Sequence, residues 1–260
     1  MPNQAALITG GSSGIGLALA KMFARNKYTL VITARKQEEL DKAAADIRSE
    51  FAVTVKTIAN DLSKPEASQQ IFDWCKQQHI TVEVLINNAG FGTYGKFAET
   101  DLAKQLNLID LNIRGLTNLT GLFLPQMLER KSGKILNVSS TAAFQPGPLM
   151  ACYYASKAYV LSFSEALHNE LAGSGVSVTA LCPGATTTNF QKINQEFGQT
   201  RLIKSGRLMT ADKVAHIGFD ALMKNKSFVI PGLTNKLMAF STRFGPRNLV
   251  TAISRWVLER

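Results

Sequence analysis

Tyr153 and Lys157 stand four residues apart in Tyr153-Tyr154-Ala155-Ser156-Lys157, a spacing that puts both on one face of a helix. A phenol that titrates near ~10 is a poor acid–base group at neutral pH. An ammonium close by stabilises the phenolate and lowers that value. A phenol tuned in this way can give its proton to a carbonyl oxygen while hydride reaches the carbon, or run the reverse step. A serine hydroxyl beside it would hydrogen-bond the same oxygen and stabilise charge building there. Ser139-Ser140 offers two such hydroxyls, and successive residues at a strand end point to opposite sides. Tyr154 is three residues before Lys157 and also lies near its face, so two phenols compete on spacing alone.

A second constellation lies near the chain start. Thr9-Gly10-Gly11-Ser12-Ser13-Gly14-Ile15-Gly16 follows an apolar strand and opens a helical stretch. A pyrophosphate needs bare backbone N–H groups at a helix N-terminus with no Cβ in the way. Gly10 would make the tight turn, Gly14 would let the backbone approach the phosphates, and Gly16 would let the helix pack close to the strand. Ser12, Ser13 and Ile15 complete the loop. It is not a P-loop, because no Gly-Lys-Ser/Thr follows. About 20 residues on, a carboxylate at the end of the second strand would take a ribose 2′-OH. The sequence there reads Val31-Ile32-Thr33-Ala34-Arg35-Lys36, with Ala34 in place of the acid and Arg35 behind it. A guanidinium matches a 2′-phosphate bidentately, so NADP(H) is the expected cofactor over NAD(H).

These groups need a scaffold that brings loops from distant positions together. Short, β-branched, non-alternating apolar runs recur at Ala5–Thr9, Thr29–Thr33, Thr54–Ala59, Val82–Ile86, Gly133–Val138, Val176–Leu181 and Phe228–Ile230, as expected of strands covered on both faces. Helical patterns fill the intervals: Ile15–Asn26, Gln37–Phe51, Pro65–Gln78, Leu102–Arg130, Tyr154–Ala172 and Ala211–Asn225. Ser63 with Pro65 and Asp101 read as helix starts, and Gly173 as a stop. Strict alternation with long crossovers predicts an α/β fold, a single doubly wound Rossmann-type domain over 1–260 with a parallel sheet of about seven strands and helices on both faces.

Composition agrees with that scaffold. The 260 residues are 45% hydrophobic and 18% charged, which excludes disordered, collagenous and coiled-coil chains. No apolar run reaches the ~18–20 residues of a membrane-spanning helix, and the start has no basic region followed by an apolar core. Cys75, Cys152 and Cys182 are too few and scattered for a disulfide framework or a zinc site; a reducing cytoplasm is expected, and no metal. The net charge of +10 is uneven: 11 of the 29 Lys/Arg but 3 of the 19 Asp/Glu lie in residues 201–260. Without a nucleic-acid-binding motif, that charge does not predict nucleic-acid binding.

Five motifs together carry a resemblance: Thr9–Gly16, Asn87-Asn88-Ala89-Gly90, Ser139-Ser140, Tyr153–Lys157 and Pro183-Gly184. In this order and context the sequence resembles the short-chain dehydrogenases/reductases over essentially residues 5–230. Around Gly90–Gly95 and Phe144–Tyr154 it looks most like that family's broad bacterial group of general oxidoreductases. The family's Tyr-x3-Lys pattern and its interval back to the serine select Tyr153 with Ser140. The resemblance implies Asn112 as a fourth member, anchoring a water that links Lys157 to solvent, and gives Lys157 a second role on the nicotinamide ribose. It implies further cofactor contacts one by one. Asp61 and Leu62 fall at the adenine, and Asn87, Ala89 and Gly90 at the adenosine ribose. Pro183, Gly184, Thr186 and Thr188 fall at the nicotinamide, with Thr186 where an apolar residue is more usual.

The substrate is expected at the carboxyl ends of the strands, between Phe91–Phe97, Ala142–Cys152 and a lid at about 187–209. Phe91, Phe144, Met150 and Phe190 make that rim apolar and aromatic, which suits a lipophilic ketone, aldehyde or secondary alcohol. Lys192, Arg201, Lys204 and Arg207 in the lid could meet an anionic tail or stay solvated. The expected activity is that of an NADP-dependent oxidoreductase on a small-molecule carbonyl or alcohol. The alternatives are a non-catalytic NADP(H)-binding regulator, and an epimerase or dehydratase on the same scaffold. Apolar residues on more than one face of Leu102–Arg130 and Tyr154–Ala172 predict a homodimer or homotetramer. The basic amphipathic extension 231–260, split by Pro246, suits three places: an anionic membrane surface, the substrate pocket, or an oligomer interface.

Overall fold

The computed structural model describes residues 5–188, 197–205 and 208–259. Seven strands form one parallel sheet: β1 (Ala5–Thr9), β2 (Thr29–Ala34), β3 (Val55–Ala59), β4 (Val82–Asn87), β5 (Gly133–Val138), β6 (Val176–Leu181) and a short last strand (Phe228–Val229). Their order is β3-β2-β1-β4-β5-β6 and then the last strand. The chain first builds outward from β1, then returns to place β4 on its other side. That reversal opens a crevice at the carboxyl ends of β1 and β4.

The reason the strands show no alternation is visible in their two cores. Ala6 and Ile8 of β1, with Leu30 and Ile32 of β2, pack on one side against helices α1 (Gly14–Arg25) and α2 (Gln37–Glu50). Leu7 and Val31 point the other way, toward α3 (Ala67–Gln77), with Ile71 and Cys75. The side chains of β1 and the middle four of β2 are buried, and all of these but Thr9 and Thr33 are apolar. Phe23 seals the first core by edge-on contacts with Tyr28 and Phe219, at 5.1 and 4.9 Å between centroids.

The predicted helix over Leu102–Arg130 is three segments: α4 (Leu102–Ile109), a π-helical turn over Asp110–Gly115, and α5 (Leu116–Glu129). Asp101 caps α4, accepting from the Ala103 N–H at 2.9 Å. Ser63 caps nothing in α3, which begins at Ala67 behind Glu66. The remaining crossover to β6 is α6 (Ala151–Glu170), three residues longer at its start than the sequence pattern suggests. After β6 comes a two-stranded parallel ribbon of β7 (Thr186–Thr187) and β8 (Met209–Thr210). A one-turn helix α7 (Arg201–Lys204) lies between them, and α8 (Ala211–Met223) leads to the last strand, β9. The extension forms two helices, α9 (Leu233–Ser241) and α10 (Arg247–Leu258), divided at Pro246 as the sequence predicts. Among the described residues, no helix is long and apolar enough to cross a membrane.

Candidate active site

The glycine turn is held by the end of β4. Thr9 Oγ1 accepts from the backbone N–H groups of Asn88 and Ala89, both at 2.9 Å. Asn88 Nδ2 donates to the Thr9 and Gly10 carbonyls at 2.9 and 3.2 Å. Gly10 has φ +65, and a Cβ there would lie 2.8 Å from Asn88 Nδ2. A Cβ on Gly16 would meet the Gly10 carbonyl oxygen at 2.1 Å. Glycine is therefore required once for backbone sign and once for the approach of helix to turn. Ser13, which precedes α1, makes no side-chain bond to the helix, and the first turn of α1 holds no acid.

This turn edges a cleft of about 470 Å³. The sheet order puts Ala34, Arg35 and Leu62 at one end of its wall and Ser140, Met150, Tyr153, Pro183, Gly184 and Thr186 at the other; Gly10, Ser12, Ser13, Gly14, Ile15, Ala89, Gly90 and Phe91 lie along it, with Gly14 beside Thr188 and Gly90 beside Lys157. Glu39 reaches the same end as Arg35, but its carboxylate pairs with Lys36 at 3.0 Å. The glycines Gly10 and Gly14 in the turn, the acid-free helix start and the Arg35 guanidinium on the rim fit a dinucleotide bearing a third phosphate group.

Five expected residues do not reach the cleft wall: Gly16 (which packs on the Gly10 carbonyl), Asn112, Asp61, Asn87 and Phe144. Asp61 turns back on its own loop, accepting from the Ser63 N–H and hydroxyl at 3.1 and 2.8 Å. Asn87 is the last residue of β4 and points into the interior, donating to Thr120 and Asn137 at 3.1 and 2.9 Å. Its neighbour Asn88 faces the cleft instead, because adjacent strand-end residues take opposite sides. Phe144 packs toward Phe228 in the core under α9. Phe190, Lys192 and Arg207 lie outside the described residues.

The two serines divide as their alternation predicts. Ser139 is buried and donates to the Lys157 carbonyl at 2.8 Å. Ser140 accepts from the Ala142 N–H at 3.1 Å and shares a side-chain hydrogen bond with Tyr153. Tyr153 and Lys157 both rise from the first half of α6, with the ammonium 5.8 Å from the phenol ring centroid. Lys157 Nζ donates to the Val138 carbonyl at 2.9 Å.

The electrostatics differ from the simple expectation of an acidified phenol. Burial pushes Tyr153 up to about 12, outweighing the Ser140 hydrogen bond that pulls it down. Burial also brings Lys157 down to about 8. Desolvation thus favours the neutral form of both groups. Tyr154 is raised as well, through burial first and then Tyr153.

Asn112 sits in the π-helical turn. Its amide donates to the Phe91 carbonyl at 3.1 Å and to Ser156 Oγ at 3.0 Å, while Oδ1 accepts from the Phe91 N–H at 3.2 Å. A Cβ on Gly90 would fall 2.9 Å from Asn112 Oδ1 and 3.5 Å from Lys157 Nζ. Asn112 therefore ties the loop after β4 to α6 beside the lysine. Single π turns recur at functional sites.

A contribution that sequence reasoning left open is the roof. Leu258, fully buried at the end of α10, packs with Ala142, Met150, Tyr154 and Phe197. Tyr94 donates to the Leu258 carbonyl at 2.6 Å. Arg201 holds the same segment, its guanidinium donating to the Trp256 carbonyl at 2.7 Å and lying 5.0 Å from the indole. Beyond this roof a second, larger cavity of about 800 Å³ opens between α9 and α10, and shares Thr141, Tyr154, Gly184, Ala185 and Leu202 with the cleft.

Known proteins are similar to this chain in sequence and fold. The family model for short chain dehydrogenases matches residues 4–198. The chain is 36% identical over 196 residues to the very-long-chain 3-oxoacyl-CoA reductase of Anas platyrhynchos, a match covering 73% of this chain and 62% of that protein. It is 34% identical to sulfoacetaldehyde reductase 2 of Chromohalobacter salexigens, covering 82% and 86%. Among solved structures, the short-chain dehydrogenase of Sphingobium yanoikuyae in complex with NADPH superposes with a TM-score of 0.81 at 30% identity over 93% of both chains. A bulky-bulky ketone specific alcohol dehydrogenase from Comamonas testosteroni gives 0.79 at 28% over 94% of both. The chain belongs to the short-chain dehydrogenase/reductase family, a family of oxidoreductases. The match spans less than two thirds of the length of the oxoacyl-CoA reductase.

Proposed function

We propose that this protein is an NADP(H)-dependent oxidoreductase that interconverts a carbonyl and a secondary alcohol on a lipophilic small molecule. The observation that carries the reading is the convergence of Ser140, Tyr153 and Lys157 on one cleft that the glycine cradle and Arg35 also line. NADPH in the Sphingobium yanoikuyae relative supports the choice of nucleotide. The turn Gly10–Gly16 would hold the pyrophosphate and Arg35 the 2′-phosphate. When bound, the nicotinamide supplies or accepts hydride.

The chain's own residues handle the proton. With its pKa at about 12, Tyr153 carries its proton at neutral pH and can donate it to a substrate oxygen as charge develops there. Ser140 hydrogen-bonds the same oxygen. Lys157, still mostly cationic at pH 7, stabilises the phenolate left behind. Asn112 is a positioning residue, fixing Phe91 and α6 around that lysine. Met150 and Phe91 give the reacting end an apolar lining, and Leu258 packs in one cluster with Met150 and Tyr154. Exposed Leu102 and Leu106 on α4 and Tyr159 on α6 leave an apolar face that supports a homodimer or homotetramer.

A panel of bulky ketones, aldehydes and secondary alcohols, followed by NADPH absorbance, tests this reading. Turnover of at least one carbonyl, lost in Tyr153→Phe with NADPH binding retained, is the expected result. Tight NADPH binding without turnover of any member would favour the non-catalytic regulator.

A further inference from the structure

Helices α9 and α10 are inside out. In a helix that packs on a core, the apolar stripe faces inward. Here Leu233, Leu237 and Phe240 of α9, at i, i+4 and i+7, are 72%, 61% and 56% exposed. Leu249, Ile253 and Trp256 of α10 repeat the same spacing at 54%, 53% and 59%. Phe244, in the turn between them, is 75% exposed. The buried positions are Ala239 on α9 and Ser254 and Leu258 on α10. The two stripes flank the mouth of the 800 Å³ cavity, whose wall includes Leu233, Met238, Leu249 and Ile253.

Charge indicates what would cover this surface. Lys236, Arg243, Arg247 and Arg255 are exposed around the stripes. The single acid among residues 231–260, Glu259, is occupied by Arg255 at 2.9 Å. An apolar face ringed by cations matches the acyl–headgroup boundary of an anionic leaflet: apolar side chains enter the acyl region and cations remain with the headgroups. A second copy of this chain would bring the same cations face to face across a two-fold axis.

We infer that α9 and α10 form a docking face for an anionic lipid bilayer, with the cavity mouth turned toward the lipid. The inference does not depend on the catalytic reading, since binding is measured without turnover. The test uses the full chain with vesicles of phosphatidylcholine containing 30% phosphatidylglycerol, and pure phosphatidylcholine as control. The protein is expected to float with the anionic vesicles at low salt and to be released at high salt. Arg243→Gln with Arg247→Gln should lower partitioning about 30-fold, at about 1 kcal/mol per cation near the surface. Leu249→Ser with Ile253→Ser should abolish it, while NADPH binding shows that the fold is kept. A wild type that binds NADPH but ignores anionic vesicles overturns the inference. So does a dimer that falls apart in Leu249→Ser/Ile253→Ser without any vesicle binding in the wild type, because the face would then be a subunit interface.

Discussion

Lys157 is the residue on which stability and function oppose each other. Its ammonium is buried and accepted by one carbonyl, so the charge is retained at a cost to folding. The sign follows from linkage: with a folded pKa of about 8 against 10.5, the unfolded chain holds more protons between those values, so stability rises with pH across that window. Below pH 8 the full penalty, about 3 kcal/mol at 1.36 kcal/mol per unit, is present. Lys157→Met should therefore lose turnover while its stability relative to wild type is greatest below pH 8 and declines toward pH 10.5. Denaturant melts at pH 7 and 10 check this; a difference that does not move with pH would show that the lysine is not desolvated. Arg35→Ala belongs to the same scale. It should weaken NADPH binding by about 1.5–3 kcal/mol, the worth of a charge-assisted hydrogen bond, and leave NADH affinity nearly unchanged, as titration of both nucleotides would show. Spacing puts Tyr153 or Tyr154 on one helix face with Lys157 and leaves both Ser139 and Ser140 open; the family resemblance is needed to select Tyr153 and Ser140, the two that line the cleft with Lys157. The positions of Asn87 and Asp61 were not legible: β4 runs one residue further than its apolar run, to Asn87, which moves Asn88 to the cleft, and Asp61 is captured by a local turn with Ser63.

At the scale of elements, the strands and most helices could be read from their apolar periods, because burial on both faces of the sheet leaves a dense signal. The π turn at Asp110–Gly115 could not, since one extra residue in a continuous helix changes no composition. Its effect is nonetheless large: each residue of an α-helix turns the chain by about 100°. Deleting Ile113 should regularise the helix and swing Asn112 away from Phe91 and Ser156. The expected outcome is a folded protein with kcat reduced far more than NADPH affinity, measured by steady-state kinetics beside nucleotide titration. The roof was illegible for another reason. Leu258 meets Tyr94 across 164 residues of sequence, and no local pattern encodes such a contact. Leu258→Ala should cost about 2–5 kcal/mol as a buried leucine truncation and raise KM for large substrates, seen by thermal melts and substrate titration.

For the whole molecule, most of the exposed large apolar side chains among the described residues fall in two groups, with Phe97 and Leu128 outside both. One is on α4 and α6, the other on α9 and α10. Assembly through the first group predicts that Leu102→Glu with Leu106→Glu yields monomers in sedimentation while the nucleotide cleft stays intact. A wild type that sediments as one chain at micromolar concentration would refute assembly altogether. The order of the sheet carries a further consequence, for how the molecule is made. The glycine turn is anchored by Asn88 and Ala89, 79 and 80 residues downstream of Thr9. A chain synthesised from its N-terminus at roughly 5–20 residues per second thus spends several seconds with β1, β2 and β3 available and the turn unclamped. Nucleotide can act as a folding ligand only after β4 has closed on β1, so the first third of the polypeptide must reach that point without its help.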